Sequence, residues 1–228
     1  MAMESSDDEI EHLQYKVIVM GDGAVGKTSL INRYCQGGFA QSYKQTIGVD
    51  FFSKKLVLPG DVHVTLQVWD IGGQQIGGKM LGKYIFGCHA VVFVYDTTNI
   101  ESFKNVEDWS AFVKDEFASA SKQPVKALVG NKIDLPQRQV RTDKHNMLAT
   151  EGHMLPFMVS AKSGERVNGM FQKIAAELAG VQLTKSEVEV AEEKITAAIV
   201  QHPSAPVPEN TSGPTAKAAD DDSGCTMM

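Results

Sequence analysis

The chain has 228 residues, 43% of them hydrophobic, and its 28 acidic and 22 basic side chains give a formal net charge of −6. This length supports one well-buried core with tails to spare, and no apolar run approaches the roughly 18 to 20 residues that cross a bilayer. The acidic N-terminus predicts neither a signal peptide nor, with Ala2, myristoylation, and three scattered cysteines favour a reducing cytosol over a disulfide framework.

The charge is unevenly distributed along the chain. Residues 1–11 carry −5 and residues 184–228 carry another −5, whereas residues 12–183 carry +4. Acidic tails around a mildly basic body argue against non-specific binding to nucleic acid and fit a body that handles an anionic ligand. We therefore predict an acidic disordered tail over 1–11, one globular domain over 12–183, and a largely disordered tail over 184–228.

Apolar runs predict six strands, at 15–21, 51–58, 62–70, 90–96, 125–134 and 156–162. Helical patterns begin near Lys27, Glu101, Thr142 and Val167, with a weaker one after Gly77. This alternation is typical of an α/β fold with about five helices around a mostly parallel buried sheet. A tight turn at residues 59–61 predicts that the second and third strands form an antiparallel hairpin at one edge. Because ligands bind beyond the carboxyl ends of such strands, chemistry is expected just after residues 21, 70, 96, 134 and 160.

The first of these positions carries the sequence GDGAVGKT over residues 21–28, which is the pattern G-x-x-x-x-G-K-T. Its backbone N–H groups and the following helix N-terminus are expected to surround a β-phosphate, with Lys27 on the β/γ oxygens and the Thr28 hydroxyl on Mg²⁺. The residues expected to contact the nucleotide here are Gly21, Asp22, Gly23, Ala24, Val25, Gly26, Lys27, Thr28 and Ser29. The motif predicts a nucleotide but neither its base nor the reaction.

The base is indicated by Asn131-Lys132-Ile133-Asp134, at the end of the fifth predicted strand. The Asp134 carboxylate can accept two hydrogen bonds from the N1–H and 2-amino edge of guanine, whereas adenine would leave it desolvated and unpaired. Such a site discriminates by about 10⁴-fold, because the wrong ligand strands a buried polar group. The Ser160-Ala161-Lys162 segment after the last strand offers a backbone N–H to the guanine O6.

With these motifs the chain resembles the Ras superfamily of small GTPases, and its Rab branch best. The resemblance rests further on YKQTIGVDF at residues 43–51 and on Trp69-Asp70, and it covers about residues 13–180 with five guanine-nucleotide boxes in order. It implies a single P-loop GTPase domain that binds GTP or GDP with Mg²⁺ and recruits effectors in the GTP state to regulate vesicle or endosomal traffic. It also implies an exchange factor, an activating protein and effectors as partners of a monomer. The cytosolic face of endosomal or Golgi-related membranes is the implied location.

The resemblance also assigns catalytic roles. Thr46 would close on Mg²⁺ and the γ-phosphate, Asp70 would hold Mg²⁺ through water, and the Gly73 N–H would meet the γ-phosphate. Gln74, with the Thr46 carbonyl, would orient the attacking water, and Lys27 would offset charge on the β–γ bridge. No residue matches an arginine finger in cis, so we predict slow intrinsic hydrolysis that needs an activating protein.

Aromatic residues take the remaining roles that the resemblance implies. Phe39 would stack on the guanine, and Tyr43 would be among the nucleotide contacts. Phe51, Trp69 and Tyr84 match the triad that Rab proteins present to effectors; ordinary packing of aromatic side chains at a sheet edge would also explain them.

The chain departs from the family pattern after Asp70. The family usually reads D-T-A-G-Q-E, whereas residues 70–78 read DIGGQQIGG. A divergent Rab branch carries a similar run, D-I-G-G-Q-x-I-G-G-K-M-L, and matches best. The added glycines raise the entropy lost on ordering, so we predict that residues 71–80 are mobile with GDP and order with GTP.

The C-terminus, Cys225-Thr226-Met227-Met228, fits a C-a-a-X signal of the farnesyl type. One lipid gives only marginal membrane binding, and the acidic run at 220–222 would be repelled by an anionic leaflet. We therefore predict reversible membrane association that depends on a prenyl-binding carrier.

Two other functions remain open at this stage. One is a nucleotide-bound scaffold that barely cycles, and the other is a P-loop kinase of small molecules. An active GTPase is favoured over the scaffold because the residues expected to act in hydrolysis are intact: Lys27, Thr28, Thr46 and Gln74. The kinase is disfavoured by the N-K-I-D motif and by the lack of a lid or acceptor pocket.

Overall fold

The computed structural model describes residues 12–39, 44–73, 80–184 and 186–187. Within these residues the strands are β1 (His12–Met20), β2 (Val49–Leu58), β3 (Val62–Ile71), β4 (Ala90–Asp96), β5 (Val125–Asn131) and β6 (Leu155–Met158). The helices are α1 (Lys27–Gln36), α2 (Leu81–Ile85), α3 (Ile100–Lys104), α4 (Val106–Glu116), α5 (Thr142–Glu151) and α6 (Val167–Ala179). Because Asn105 alone separates α3 from α4, the described part of the chain has five helical regions, as predicted.

The six strands form one sheet in the order β2-β3-β1-β4-β5-β6. Every neighbouring pair is parallel except β2 and β3, so the predicted antiparallel hairpin at one edge is confirmed. Leu58 pairs with Val62 across the turn, where Gly60 and Asp61 have φ of 80° and 59°. These left-handed conformations close a tight turn that suits the twist of the flanking strands.

The core lies on both faces of the sheet. Strand β4, AVVFVYD, is buried along its whole length because helices cover it on each side. On one face Val92 packs in a cluster with Leu30 of α1 and Phe171 of α6. On the other face Phe93 packs in a second cluster with Trp109 of α4. Burying each such side chain contributes about 1.5 to 3 kcal/mol, which fixes the sheet between its helices.

Two predicted strand ends were wrong, and both errors lie at the carboxyl edge. Strand β5 ends at Asn131 rather than at 134, because Lys132 has a φ of 68° that turns the chain out of the sheet. Strand β6 covers Leu155–Met158 rather than 156–162, because the backbone after it bonds to side chains, such as the Ala161 N–H to Asn131 Oδ1.

Other predicted boundaries also differ from the structure or lie outside the described residues. Strand β1 begins at His12, three residues early, since it pairs with β3 from there. The weak helix predicted after Gly77 is α2, and residues 74–79 before it lie outside the described residues, as do 1–11 and nearly all of the predicted tail. None of the described helices combines the length and the apolar character needed to cross a bilayer.

Candidate functional site

A cleft of about 750 Å³ opens at the carboxyl edge of the sheet. One part, here called the phosphate end, comprises residues 21–28 with Thr46, Asp70 and Gly73; the other, the base end, comprises residues 131–134 and 160–162. Of the residues predicted to bind nucleotide or metal, those lining the cleft are Gly23, Ala24, Gly26, Lys27, Thr28, Ser29, Phe39, Thr46, Gly73, Asn131, Lys132, Asp134, Ala161 and Lys162. The fold therefore brings together motifs that are more than 100 residues apart in sequence.

The two outer glycines of the phosphate loop are required by close approaches. Gly21 has a φ of 140°, and a Cβ there would lie 2.1 Å from the Val94 carbonyl oxygen. Gly26 has a φ of 95°, and a Cβ there would lie 2.4 Å from Asn131 Nδ2. A side chain at either position would displace the loop from β4 or from the base end.

Lys27 begins helix α1, and its side chain is buried in the loop that precedes the helix. Its Nζ donates to the carbonyl oxygens of Gly21, at 2.8 Å, and Asp22, at 2.7 Å. Burial lowers the pKa of Lys27 to about 8, although the Asp70 and Asp22 carboxylates raise it in part. A desolvated ammonium held in this way is suited to receive a phosphate oxygen.

Three oxygen-bearing side chains converge beside Lys27. Thr28 Oγ1 donates to Asp70 Oδ2 at 2.5 Å and lies 2.9 Å from Thr46 Oγ1, which is itself 3.3 Å from the same Asp70 oxygen. The second oxygen, Asp70 Oδ1, is buried and has no hydrogen-bond partner among the described residues. Burial raises the pKa of Asp70 despite the hydrogen bond from Thr28 and the charge of Lys27. Hard oxygen ligands around an unpartnered buried carboxylate fit a small divalent cation.

Gly73 lies directly against the phosphate loop. A Cβ on Gly73 would be 2.4 Å from the Asp22 carbonyl carbon and 2.5 Å from the Gly23 nitrogen, so only glycine allows this approach. The predicted catalytic Gln74 follows at once but lies outside the described residues, as do Tyr43 and Cys225.

At the base end, Asn131 connects three segments. Its Nδ2 donates to the Val25 carbonyl at 2.9 Å, and its Oδ1 accepts from the Ala161 N–H at 3.0 Å. Lys132 Nζ donates to the Ala24 carbonyl at 2.9 Å. The base end is therefore tied to the phosphate loop by side chains of the N-K-I-D motif.

The Asp134 carboxylate is oriented by a neighbour. Ser160 is fully buried, and its Oγ donates to Asp134 Oδ1 at 2.6 Å while accepting from the Ser163 N–H at 3.0 Å. Phe39, 38% exposed, lies on the wall of the same cleft. The carboxylate is thus held at the mouth of the cleft with lone pairs left for a ligand.

Sequence reasoning missed several residues that hold these parts in place. Asp96 forms an ion pair with Lys132 Nζ at 2.7 Å. Trp109 Nε1 and Asn105 Nδ2 donate to the carboxylate of the predicted Asp22, at 2.9 Å and 2.7 Å. Asp96 ends strand β4, where chemistry was expected, so its position was a usable signal. Arg33, which bonds to the 161–162 backbone, had no signal in the sequence.

All three members of the predicted aromatic triad are among the described residues. Phe51 is 61% exposed and packs edge-on against Trp69 with ring centroids 4.4 Å apart. Lys16 Nζ lies 3.9 Å from the centre of the Trp69 ring. Tyr84 is half-buried against the cluster that also includes Trp69. Of the three rings, Phe51 on the edge strand β2 is mostly exposed, whereas Trp69 and Tyr84 are half-buried.

Comparison with known proteins decides the family of the chain. The Ras family model matches residues 16–180, the part of the chain that contains the whole cleft. The chain belongs to the Ras family. It is also 44% identical over 199 residues to the Ras-related protein Rab-28 of Caenorhabditis elegans, a match that covers 86% of this chain and 80% of the relative.

The predicted resemblance to a divergent Rab branch is therefore confirmed. A Rab-type GTPase binds guanine nucleotide and hydrolyses GTP in a regulatory role, so the kinase alternative is excluded. Rab GTPases act with exchange factors, activating proteins and effectors, and these are the general classes of partner for this chain.

Proposed function

We propose that this Rab-type GTPase is a slow, magnesium-dependent switch that recruits effectors in its GTP state to regulate vesicle or endosomal membrane traffic. The observation that carries the proposal is the convergence of Thr28 and Thr46 on Asp70, whose Oδ1 has no partner among the described residues. The two threonines belong to segments far apart in sequence, and their hydroxyls already lie 2.9 Å apart, so a cation bound by both would hold the segment around Thr46 against helix α1.

Each side chain at the phosphate end has a proposed task. Lys27 holds the β- and γ-phosphate oxygens, and Thr28 and Thr46 bind the cation directly, with Asp70 reaching it through water. Magnesium, when bound, neutralises charge on the phosphate oxygens. The Gly73 N–H contacts the γ-phosphate, and loss of that phosphate releases Gly73 and Thr46, which is the conformational signal.

The base end supplies specificity. Asp134 accepts from guanine N1–H and the 2-amino group, the 160–162 backbone donates to O6, and Phe39 covers the ring. Asn131 and Lys132 connect these contacts to the phosphate loop. A base lacking the donor pair would leave Asp134 without ligand partners, which disfavours adenine.

Hydrolysis is proposed to be slow without help. Gln74, with the Thr46 carbonyl, orients the attacking water, but no arginine is among the described residues lining the cleft. The charge that builds on the phosphates is thus offset only in part, and an activating protein supplies the missing group in trans.

Single-turnover hydrolysis of GTP and of ATP by the purified full chain tests this mechanism, with Gln74→Leu as the comparison. We expect hydrolysis of GTP alone, slow and Mg²⁺-dependent, and further slowed by Gln74→Leu. Unaided hydrolysis at tens per second would contradict the proposed need for an activating protein. Wild-type and Gln74→Leu proteins with equal rates would favour a nucleotide-bound scaffold instead.

Membrane attachment is proposed to be reversible and to use one prenyl group on Cys225, delivered by a prenyl-binding carrier to endosomal or Golgi-related membranes. A single lipid gives marginal binding, so the protein exchanges between the membrane and the cytosol. The exchanging species is proposed to be a monomer. Cell fractionation of wild type and Cys225→Ser tests this: the variant should be lost from membranes. A variant that remains fully membrane-bound would contradict the proposal.

A further inference from the structure

Arg33 on helix α1 is a buried cation with no acidic partner among the described residues. Its side chain is only 8% exposed, and none of the ion pairs among the described residues includes it. A buried charge is costly unless its N–H groups are hydrogen-bonded. The groups that satisfy Arg33 therefore indicate what it stabilises.

All three partners of Arg33 are backbone carbonyls. Nη1 donates to Gly37 at 2.9 Å, at the end of its own helix, where the helix dipole also favours a cation. Nε donates to Ala161 at 3.0 Å and Nη2 donates to Lys162. Two of the three bonds thus reach a segment 128 residues away that belongs to the base end.

The two carbonyls outside the helix, those of Ala161 and Lys162, each share a peptide group with the N–H of the next residue. The Lys162 carbonyl shares its peptide with the Ser163 N–H, which donates to Ser160 Oγ at 3.0 Å, and that hydroxyl donates to Asp134 Oδ1 at 2.6 Å. The Ala161 carbonyl shares its peptide with the Lys162 N–H, and Lys162 lines the cleft. A charged donor on a carbonyl polarises the peptide and strengthens the hydrogen bond made by its N–H.

We propose that Arg33 is a positioning residue for guanine recognition, acting through the 161–163 backbone on both Asp134 and the donor to O6. The inference rests on the proposed role of Asp134 in contacting the base. A helix that begins at the phosphate-binding Lys27 thereby also orders the opposite end of the cleft. The alternative is that Arg33 only closes the end of α1 through Gly37, with no effect on the choice of base.

The two roles differ in how they affect GDP and its inosine analogue IDP, which lacks the 2-amino group that Asp134 would accept. We expect wild-type protein to release IDP much faster than GDP. Arg33→Met should raise the GDP dissociation rate by about 10- to 100-fold, the range expected for losing charged hydrogen bonds. The ratio of IDP to GDP dissociation rates should fall towards one, because a misplaced carboxylate no longer favours the 2-amino group.

Fluorescent GDP and IDP, chased with excess unlabelled nucleotide, give these rates without needing the active protein fraction. Arg33→Lys should give an intermediate ratio, because an ammonium keeps the charge but not the planar fork of donors. Arg141→Met is the matched control: this exposed arginine pairs with Asp143 away from the base end, and its removal should leave the ratio unchanged.

If Arg33→Met does not fold, Arg33→Lys carries the test by the same ratio. A wild-type ratio in each folded Arg33 variant, whatever the absolute rates, would overturn the proposal in favour of a purely structural role. An equal fall in Arg141→Met would also overturn it, since net charge would then be the cause. Wild-type protein that releases GDP and IDP equally fast would instead overturn the assignment of Asp134, and the role of Arg33 with it.

Discussion

The base end and the phosphate end of the cleft differ in how completely the protein satisfies its own polar groups. At the base end, both polar side-chain atoms of Asn131 form hydrogen bonds and Ser160 donates to Asp134. Arg33 donates to three backbone carbonyls, two of which belong to this end. At the phosphate end, Asp70 keeps one buried oxygen without a partner among the described residues, and burial lowers the pKa of Lys27 to about 8. The base end is preorganised, whereas the phosphate end is completed by its ligands.

This difference suits a switch. Binding energy at a preorganised base end is not spent on ordering, so GTP and GDP can both be held there. In the proposed mechanism the phosphate end responds to the γ-phosphate, the one group that distinguishes them, through Thr46 and Gly73, which contact the phosphate loop from other segments of the chain.

The largest effect is expected from Asp134→Asn. The amide oxygen can still accept from Ser160, so the loop should stay folded, but the amide nitrogen repels guanine donors and favours the 2-oxo group of xanthine. We expect the preference for GDP over XDP to fall by about 10⁴-fold. Competition against a fluorescent nucleotide measures this, with thermal unfolding as the check on folding. An unchanged preference would show that Asp134 does not contact the base.

The next effect is expected at the phosphate end, from Asp70→Asn. Removing a desolvated carboxylate should raise the free energy of unfolding of nucleotide-free protein by about 1 kcal/mol, yet weaken Mg²⁺-dependent nucleotide binding by about 100-fold. Denaturant unfolding of the nucleotide-free protein measures the change in stability. Nucleotide release followed as a function of Mg²⁺ concentration measures the change in binding. The exposed Asp108 on helix α4, which does not line the cleft, provides a control as Asp108→Asn. A nucleotide-free variant less stable than nucleotide-free wild type would contradict the idea that the buried Asp70 carboxylate is completed by a ligand.

A smaller effect is expected on acidification, from His145 behind the base end. Its Nδ1 lies 3.0 Å from the Tyr95 hydroxyl, its Nε2 is buried without a partner among the described residues, and burial lowers its pKa to about 4. The unfolded chain, with a pKa near 6.5, binds the proton more readily, so stability present above pH 6.5 is lost as pH falls towards 4. The loss between pH 7 and pH 5 should be about 2 kcal/mol.

Urea unfolding at the two pH values measures that loss, and His145→Gln should remove most of the pH dependence. If wild type and the variant lost the same free energy of unfolding between the two pH values, another group would be the cause of the acid sensitivity.

The smallest effect is expected outside both ends. Lys104 pairs with Glu101 at 2.7 Å on helix α3, but both side chains are mostly exposed to solvent. Solvent screening limits such a pair to about 0.5 kcal/mol or less. A double-mutant cycle with Lys104→Ala and Glu101→Ala gives the coupling energy. A coupling above 1 kcal/mol would mean that surface charge contributes as much to this domain as single contacts in the cleft.

Much of the fold could be predicted because its signals are local. The apolar run of β4 needs burial on both faces, and the turn at Gly60-Asp61 requires the left-handed backbone that those residues adopt. The end of β5 was mispredicted because Lys132 adopts a positive φ, and that of β6 because the side chain of Asn131, on the neighbouring strand, bonds to the backbone that follows β6. Strand periodicity carries no information about such contacts.

The phosphate loop, the N-K-I-D motif and the family could be read from the amino-acid sequence, because each depends on short-range spacing and the loop on glycines that permit its positive φ angles. What orients these motifs depends on contacts that form only in the folded domain: Arg33 with the Ala161 carbonyl, Trp109 with Asp22, and Tyr95 with His145. Those contacts join residues 50 to 128 positions apart. These residues meet because the helices pack on the sheet, and no local sequence pattern predicts which side chains that packing brings together.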